Sequence, residues 1–355
     1  MEKVVKVYHK QKQIEGNFHN SLTWSMYEEP LQKALELDKL KLKSKTPEAF
    51  RKNYPLSGFV ISLKDSSYYK NSPSTSGMFL NLDRVATEDP DLFKKMKEKG
   101  AVFTCRGNIP QFLLSIESNN NLFGCTKNPL DPTRTGGGST GGDAVNVKLG
   151  FANVAFGSDI AGSLRVPALH CGLYSLKPSD YRVSLSSMAY FFDRKFGSDR
   201  YPSEIKPHGS VQMILKIILG PIARSPRDID KIMQVICSIQ RPTSLTPPLK
   251  WNPKPEIKKR IGVFRGMKIL EPCAATARAI DVCIERLSKQ GYQFVEMDLD
   301  LFFQECIKWT IVSINKSPYI LDILTKKTPI RENICLLYTS PSPRDLSTSR
   351  MPSSA

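Results

Sequence analysis

Three stretches of this sequence hold residue types that can do chemistry. Gly136-Gly137-Gly138-Ser139-Thr140-Gly141-Gly142-Asp143 is a loop of glycine and hydroxyl residues. Gly157-Ser158-Asp159-Ile160-Ala161-Gly162-Ser163-Leu164-Arg165 sets a serine directly after Ala-Gly and runs on to Pro167 and Cys171-Gly172-Leu173. GFVISLK is an apolar run that ends on Lys64. Glycines beside a serine let the backbone approach a ligand and take conformations closed to other residues. A serine in such a turn can be presented as a nucleophile, with nearby N–H groups converging on an oxyanion. It needs a base. Histidine is scarce, so lysine is the natural alternative. Burial disfavours the charged form of a lysine, whereas a solvated one near its reference pKa of ~10.4 is a poor base. Taken singly, each stretch has a plainer reading. GGGSTGG could be a turn or a phosphate cradle, although it lacks the lysine of a P-loop. Lys64 could snorkel from a strand end, and the serine of DIAGSLR could be structural. Their order and spacing together favour a hydrolase.

The elements that would position these residues follow a strand–helix–strand rhythm. Helical spacing runs from about Ser21 to Lys52, through LQKALELDKLKLK. Gly58–Lys64 reads as a buried strand. Asp89-Pro90 opens the helix DPDLFKKMKEKG, which Gly100 closes before the strand AVFTC. A short helix and the apolar segment FANVAFGSD follow the glycine loop. Ser225, Pro226 and Asp228 mark another helix start, continued by IDKIMQVICSI. RIGVFRG, the helix through ARAIDVCIERLSKQG and then YQFVEMDL form a second βαβ pattern. Residues 192–208 and PTSLTPPLKWNPKP read as loops.

The 355 residues are 40% hydrophobic and 24% charged, which is a globular composition. No apolar run approaches the ~20 residues of a membrane span, and the charged N-terminus has no secretory signal pattern. His9, His19, His170 and His208 show no metal-binding spacing, so neither a metal nor another cofactor is expected. The eight cysteines form no CxxC and read as reduced, structural residues of an intracellular protein. The net charge of +17 is uneven. Residues 101–180 carry six basic and five acidic side chains, whereas 181–260 carry fifteen basic and six acidic. That stretch is either a solvated loop or a surface facing anionic lipid. No nucleic-acid signature accompanies it, so nucleic acid is not expected as a partner. Cys335–Ala355, CLLYTSPSPRDLSTSRMPSSA, is Ser/Pro-rich without periodicity and resembles translated adapter read-through.

GGGSTGGDAV…GSDIAGSLRVPALHCGLYSLKPS resembles the signature of the amidase signature family. GFVISLKD resembles the segment that carries the family's lysine, and GPIARSPRDID its downstream segment. NIPQFLLSIESNNNLFGCTKNP is similar to fatty acid amide hydrolases in particular. The resemblance covers about residues 55–334. It implies an α/β fold with a central mixed β-sheet covered by helices on both faces, C-terminally truncated here. The corresponding domains are an N-terminal helical segment over 1–54, an amidase domain over 55–334 and a non-native tail over 335–355. It also implies a Ser–cis-Ser–Lys triad, with Lys64 as base, Ser139 as bridging serine after a cis Gly138–Ser139 peptide, and Ser163 as nucleophile. Backbone N–H groups of Ile160, Ala161, Gly162 and Ser163 would hold the oxyanion. Leu113 and Ser115 would line the acyl side.

Some features depart from the family pattern. Ala161-Gly162 stands where the family usually has Gly-Gly, and Thr140 where it has a second serine. The N-terminal transmembrane segment of some fatty acid amide hydrolases has no counterpart, and residues 189–208 look like an insertion. Ala161 is tolerable only if its φ is negative. The expected activity is cleavage of fatty acid amides to fatty acid and amine through an acyl-enzyme. The expected partner is a small amide, lipid in character, with a peripheral membrane surface and oligomerisation left open. Three alternatives stand beside it: a generic amidase, a protein like the amidase component of a tRNA-dependent amidotransferase, which would need partner chains, or a catalytically silent member that binds membrane surfaces.

Overall fold

The computed structural model describes residues 1–13, 18–180, 182–184, 217–239, 251, 260–267 and 271–306. The expected insertion at 189–208, the loop at 242–255 apart from Trp251, most of the basic stretch and the tail at 335–355 lie outside the described residues. The described residues fall in two compact units, one built from residues up to 184 with 217–251, the other from 260–306.

In the first unit the chain runs α1 (Glu2–Gln13), β1 (Leu22–Ser25), α2 (Glu28–Lys43), α3 (Pro47–Asn53), β2 (Val60–Lys64), α4 (Asp91–Glu98) and β3 (Val102–Gly107). It continues through a small ribbon, β4 (Asn119–Asn120) and β5 (Gly124–Cys125), to α5 (Gly141–Leu149), β6 (Val154–Asp159), α6 (Arg165–His170), β7 (Tyr174–Ser175), β8 (Ile218–Ala223) and α7 (Pro226–Ile239). The central sheet has six strands in the order β1-β3-β2-β6-β8-β7. β3, β2 and β6 run parallel to one another, and β1, β8 and β7 join antiparallel to their neighbours. The sheet is therefore mixed, as expected.

Alternation along the strands assigns the two faces. Ile61 and Leu63 of β2 join Phe103, Val154 and Phe156 in one core, closed by Leu92, Phe93 and Met96 of α4 and by Ile232, Met233 and Ile236 of α7. On the other face Ala155 and Ile222 pack with Ala144, Val145 and Val147 of α5 and Ala168 of α6. Ser62 of β2 points to this second face, where its hydroxyl donates to Asp143 of α5 at 2.6 Å. Two sites away on the same strand stands Lys64. The sheet thus delivers a polar row into the α5 layer while its other face stays apolar.

The sequence reading differs from the structure in two places. The helical pattern from Ser21 to Lys52 resolves into an edge strand and two helices. Leu22 and Trp24 pair with Gly107 and Arg106 across a bulge. A four-residue edge strand is too short to show a period of its own. Thr46 then caps α3 by accepting from the Ala49 N–H at 3.1 Å, with Pro47 in the first turn. The second difference is β8, which contains Pro221 yet sits between β6 and β7. A proline argues against an interior strand, so GPIA carries little strand signal.

The second unit is the expected βαβ: β9 (Arg260–Val263), α8 (Ala274–Ser288) and β10 (Gln293–Glu296), with Arg260–Val263 parallel to Gln293–Glu296. Arg265 pairs with Asp281 at 2.7 Å and Glu296 at 3.0 Å. Among the described residues no helix is long and apolar enough to cross a membrane.

The rings of Phe93, Phe103 and Phe156 meet inside the first core, at centroid distances of 5.3 Å and 6.3 Å from Phe93. Phe103→Ala is expected to lower unfolding stability by about 3–5 kcal/mol, because the void cannot close among packed strands. A denaturant titration checks it; a loss under about 1 kcal/mol would mean that this core is loosely packed.

Candidate active site

Lys64 is fully buried at the end of β2. Its Nζ lies 2.8 Å from Ser139 Oγ, and 3.1 Å from both the carbonyl and the hydroxyl of Ser158. Burial pulls its pKa down to about 7, with the carboxylates of Asp143 and Asp159 acting in the opposite sense. Nζ donates to all three oxygens, Ser139 Oγ and the carbonyl and hydroxyl of Ser158.

Ser139 is also buried and follows a cis peptide bond from Gly138. The loop can take this path because the chain around Ser115 runs against it. A Cβ on Gly138 would lie 2.8–2.9 Å from backbone atoms of Ser115, Ile116 and Glu117. The Ser118 N–H donates to the Gly137 carbonyl at 3.1 Å, and Ser118 Oγ accepts from the Gly141 N–H at 3.0 Å. Ser115 is thereby placed against the serine loop, with its hydroxyl accepting from the Glu117 N–H at 3.1 Å. Leu113 precedes it in a left-handed conformation, φ 64°.

Ser163 is half-buried in the turn between β6 and α6. Its carbonyl accepts from the Thr140 N–H at 3.1 Å, which ties this turn to the residue after Ser139. The turn is organised by Asp159. Its buried carboxylate accepts from the N–H of Gly162 at 2.8 Å and of Leu164 at 3.1 Å, and takes two bonds of 3.0 Å from the Arg165 guanidinium. Burial alone would raise its pKa; Arg165 and the two N–H groups hold it below the ordinary carboxylate value.

Two expectations meet this geometry directly. Ala161 is not in the left-handed region, whereas Gly162 is, at φ 126°. The Ala161 methyl is therefore accommodated, and the glycine stands where it is needed. The Gly162 N–H, expected among the oxyanion donors, is instead engaged by Asp159. Turn closure claims that donor, which leaves the N–H groups of Ile160, Ala161 and Ser163 as candidates.

The sequence reading missed several residues around this group. Asp143 is fully buried, and burial pushes its pKa up to about 7 despite the Ser62 hydroxyl and Lys64. Its position at the end of GGGSTGGD was the available signal. Ser158, Asp159 and Arg165 lie inside the quoted motif, but a motif does not say which side chain closes its own turn. Arg106 gave no signal at all. Buried in β3, it pairs with Asp65 at 3.2 Å, donates to Ser72 Oγ at 2.8 Å and to Ser74 Oγ at 3.2 Å, and reaches the Ser67 carbonyl. It fixes the chain immediately after Lys64. No group of His, Cys, Asp and Glu able to hold a metal occurs among the described residues.

Asp159→Ala leaves buried donors without an acceptor, and should cost about 1–3 kcal/mol. Arg165→Met, which removes a half-exposed partner, should cost less. Urea unfolding of the two variants checks the order. Equal losses would mean that the ion pair, not the backbone bonds, holds the turn.

The chain matches the family model "Amidase" over residues 3–330. Amidase FG08078 of Gibberella zeae is 32% identical over 300 residues, which cover 82% of this chain and 50% of that protein. A glutamyl-tRNA(Gln) amidotransferase chain of Thermus thermophilus is 33% identical over 189 residues, covering 53% of this chain and 36% of that one. Among solved structures, a fatty acid amide hydrolase is similar with a TM-score of 0.69 at 24% identity, over 83% of this chain and 49% of that one. The chain spans about half the length of the curated amidases it matches. On its sequence match, and with the fold in agreement, this chain belongs to the amidase family.

Proposed function

We propose that Lys64, Ser139 and Ser163 form a proton relay that hydrolyses amides of long apolar acyl groups. The observation that carries this reading is the buried Lys64 amine, 2.8 Å from a buried serine hydroxyl, with its pKa drawn down to about 7. A charged surface lysine could not accept a proton near neutrality; this one can.

In the reading, neutral Lys64 takes the proton of Ser139 as Ser139 takes that of Ser163. Ser163 Oγ attacks the amide carbonyl, and the oxyanion meets the N–H groups of Ile160, Ala161 and Ser163. Each such donor contributes about 3 kcal/mol to transition-state stabilisation. Ser139 passes a proton to the leaving nitrogen, the C–N bond breaks, and the acyl-enzyme remains on Ser163. Water then attacks the ester, the relay accepts its proton and returns it to Ser163 Oγ as the C–O bond breaks, and the acid is released.

The apolar preference rests on the surroundings. Ile160 is 45% exposed in the nucleophile turn, and Leu114 and Ile116, 46% and 68% exposed, flank Ser115 beside the serine loop. Those side chains suit an acyl chain. A second reading, a general amidase, is favoured by the curated relatives, which are described as amidases without a lipid substrate.

Four outcomes are expected. A fluorophosphonate probe should label the full chain, and Ser163→Ala should abolish the labelling; no labelling of the parent protein beside a labelled control hydrolase would contradict the nucleophile. The rate of labelling should rise with pH through about 7, because only neutral Lys64 accepts a proton. Lys64→Ala should remove that inflection and slow the reaction ~10²–10⁴-fold, and an unchanged profile would remove Lys64 as base. Burial of each methylene contributes ~0.8 kcal/mol, so dodecanamide should exceed acetamide in kcat/KM by about a hundredfold or more. Similar values would support the general amidase.

A further inference from the structure

Away from Lys64, Ser139 and Ser163, the first unit contains a cavity of about 410 Å³. Its size is that of small-molecule sites. None of its lining residues belongs to the candidate active site. One face of α1 supplies Val5, Tyr8 and Gln11; β1 and the start of α2 supply Leu22 and Leu31, and Phe151 closes it beyond α5. The wall is mostly apolar. Tyr8 presents its ring, because its hydroxyl donates to the Met26 carbonyl.

One feature of the wall is polar. Gln11 is only 8% exposed, and among the described residues neither its side-chain oxygen nor its nitrogen has a hydrogen-bond partner. A buried amide with both groups unpaired is matched by a ligand that supplies one acceptor and one donor. His19, also on the wall, has an unpaired Nδ1. Burial holds its imidazole below the ordinary pKa, with a backbone hydrogen bond to Lys127 acting in the opposite sense, so Nδ1 is the ring nitrogen left to a ligand. An amide that must donate and accept side by side is matched by a planar group that does the same.

We propose that this cavity is a second small-molecule site, taking an apolar chain that ends in a carboxamide or carboxylic acid head paired with Gln11. Both heads present an acceptor beside a donor, the acid in its protonated form. The apolar body would lie against Tyr8, Leu22, Leu31 and Phe151. The site is independent of the catalytic reading, since it uses none of those residues.

The test is photolabelling of the full chain carrying Ser163→Ala, which prevents turnover of the probe. The probe is a decanamide with a diazirine near the chain end, and the adducts are mapped by peptide mass spectrometry. Adducts are expected in peptides spanning residues 1–13 and 18–33, apart from any at the 157–165 turn. Loss of these adducts with excess decanamide identifies the carboxamide as a ligand, and loss with decanoic acid identifies the acid. Methyl decanoate, which cannot donate, should compete at least about tenfold more weakly. Gln11→Leu, which keeps the apolar wall, should reduce the adducts about tenfold or more. The proposal is overturned if those peptides carry no competable adduct, or if methyl decanoate competes as well as the amide. Labelling of Gln11→Leu as strong as that of the parent would also overturn it. Should Gln11→Leu fail to fold, the competitor series decides alone.

Discussion

A lysine amine taken completely out of water is the constraint around which the rest of this site is arranged. Moving an ammonium into a protein interior costs several kcal/mol unless partners replace its hydration. Here the replacement is partial: oxygens of Ser139 and Ser158 at hydrogen-bond distance, and the carboxylates of Asp143 and Asp159 as more distant charge. The balance leaves the amine poised near neutrality rather than firmly charged. The same burial acts oppositely on Asp143, raising its carboxyl.

Close approach of backbones makes this burial achievable. Gly138 lets the 115–117 chain touch the serine loop, and Gly107 lets Asp143 lie against β3, where a Cβ would fall 2.3 Å from the carboxyl carbon. Arg106 holds the chain beyond Lys64, and Asp159 holds the chain before Ser163. The chain beside Lys64 and the turn holding Ser163 are therefore each fixed by a buried charged group. Pre-organisation of this kind avoids reorganisation when charge develops in the reaction.

How much of this was legible in the sequence depended on the length scale of the feature. Lys64, Ser139 and Ser163 stood out because each sits in a short run with unusual glycine or apolar content. β2, β3, β6 and α5 followed from apolar runs bounded by glycines. The Asp159 bonds to Gly162 and Leu164 were not legible, since a carboxylate inside a turn motif does not announce which N–H groups it takes. β1 is too short, and Pro221 hides β8. The cavity at Gln11 was wholly illegible: its wall is assembled from α1, β1, α2 and the chain after α5, and no local pattern links them.

The central claim is that Lys64 is uncharged for much of the time at neutral pH, and it can be measured without any substrate. Nitrogen-15 NMR of the lysine side chains, with Lys64→Met used to assign the resonance, follows the titration of its Nζ directly. The account predicts a midpoint at about 7, drawn down from the ordinary lysine value of 10.5 by burial. A Lys64 amine that stays protonated up to about pH 10, near the ordinary lysine value, would contradict it.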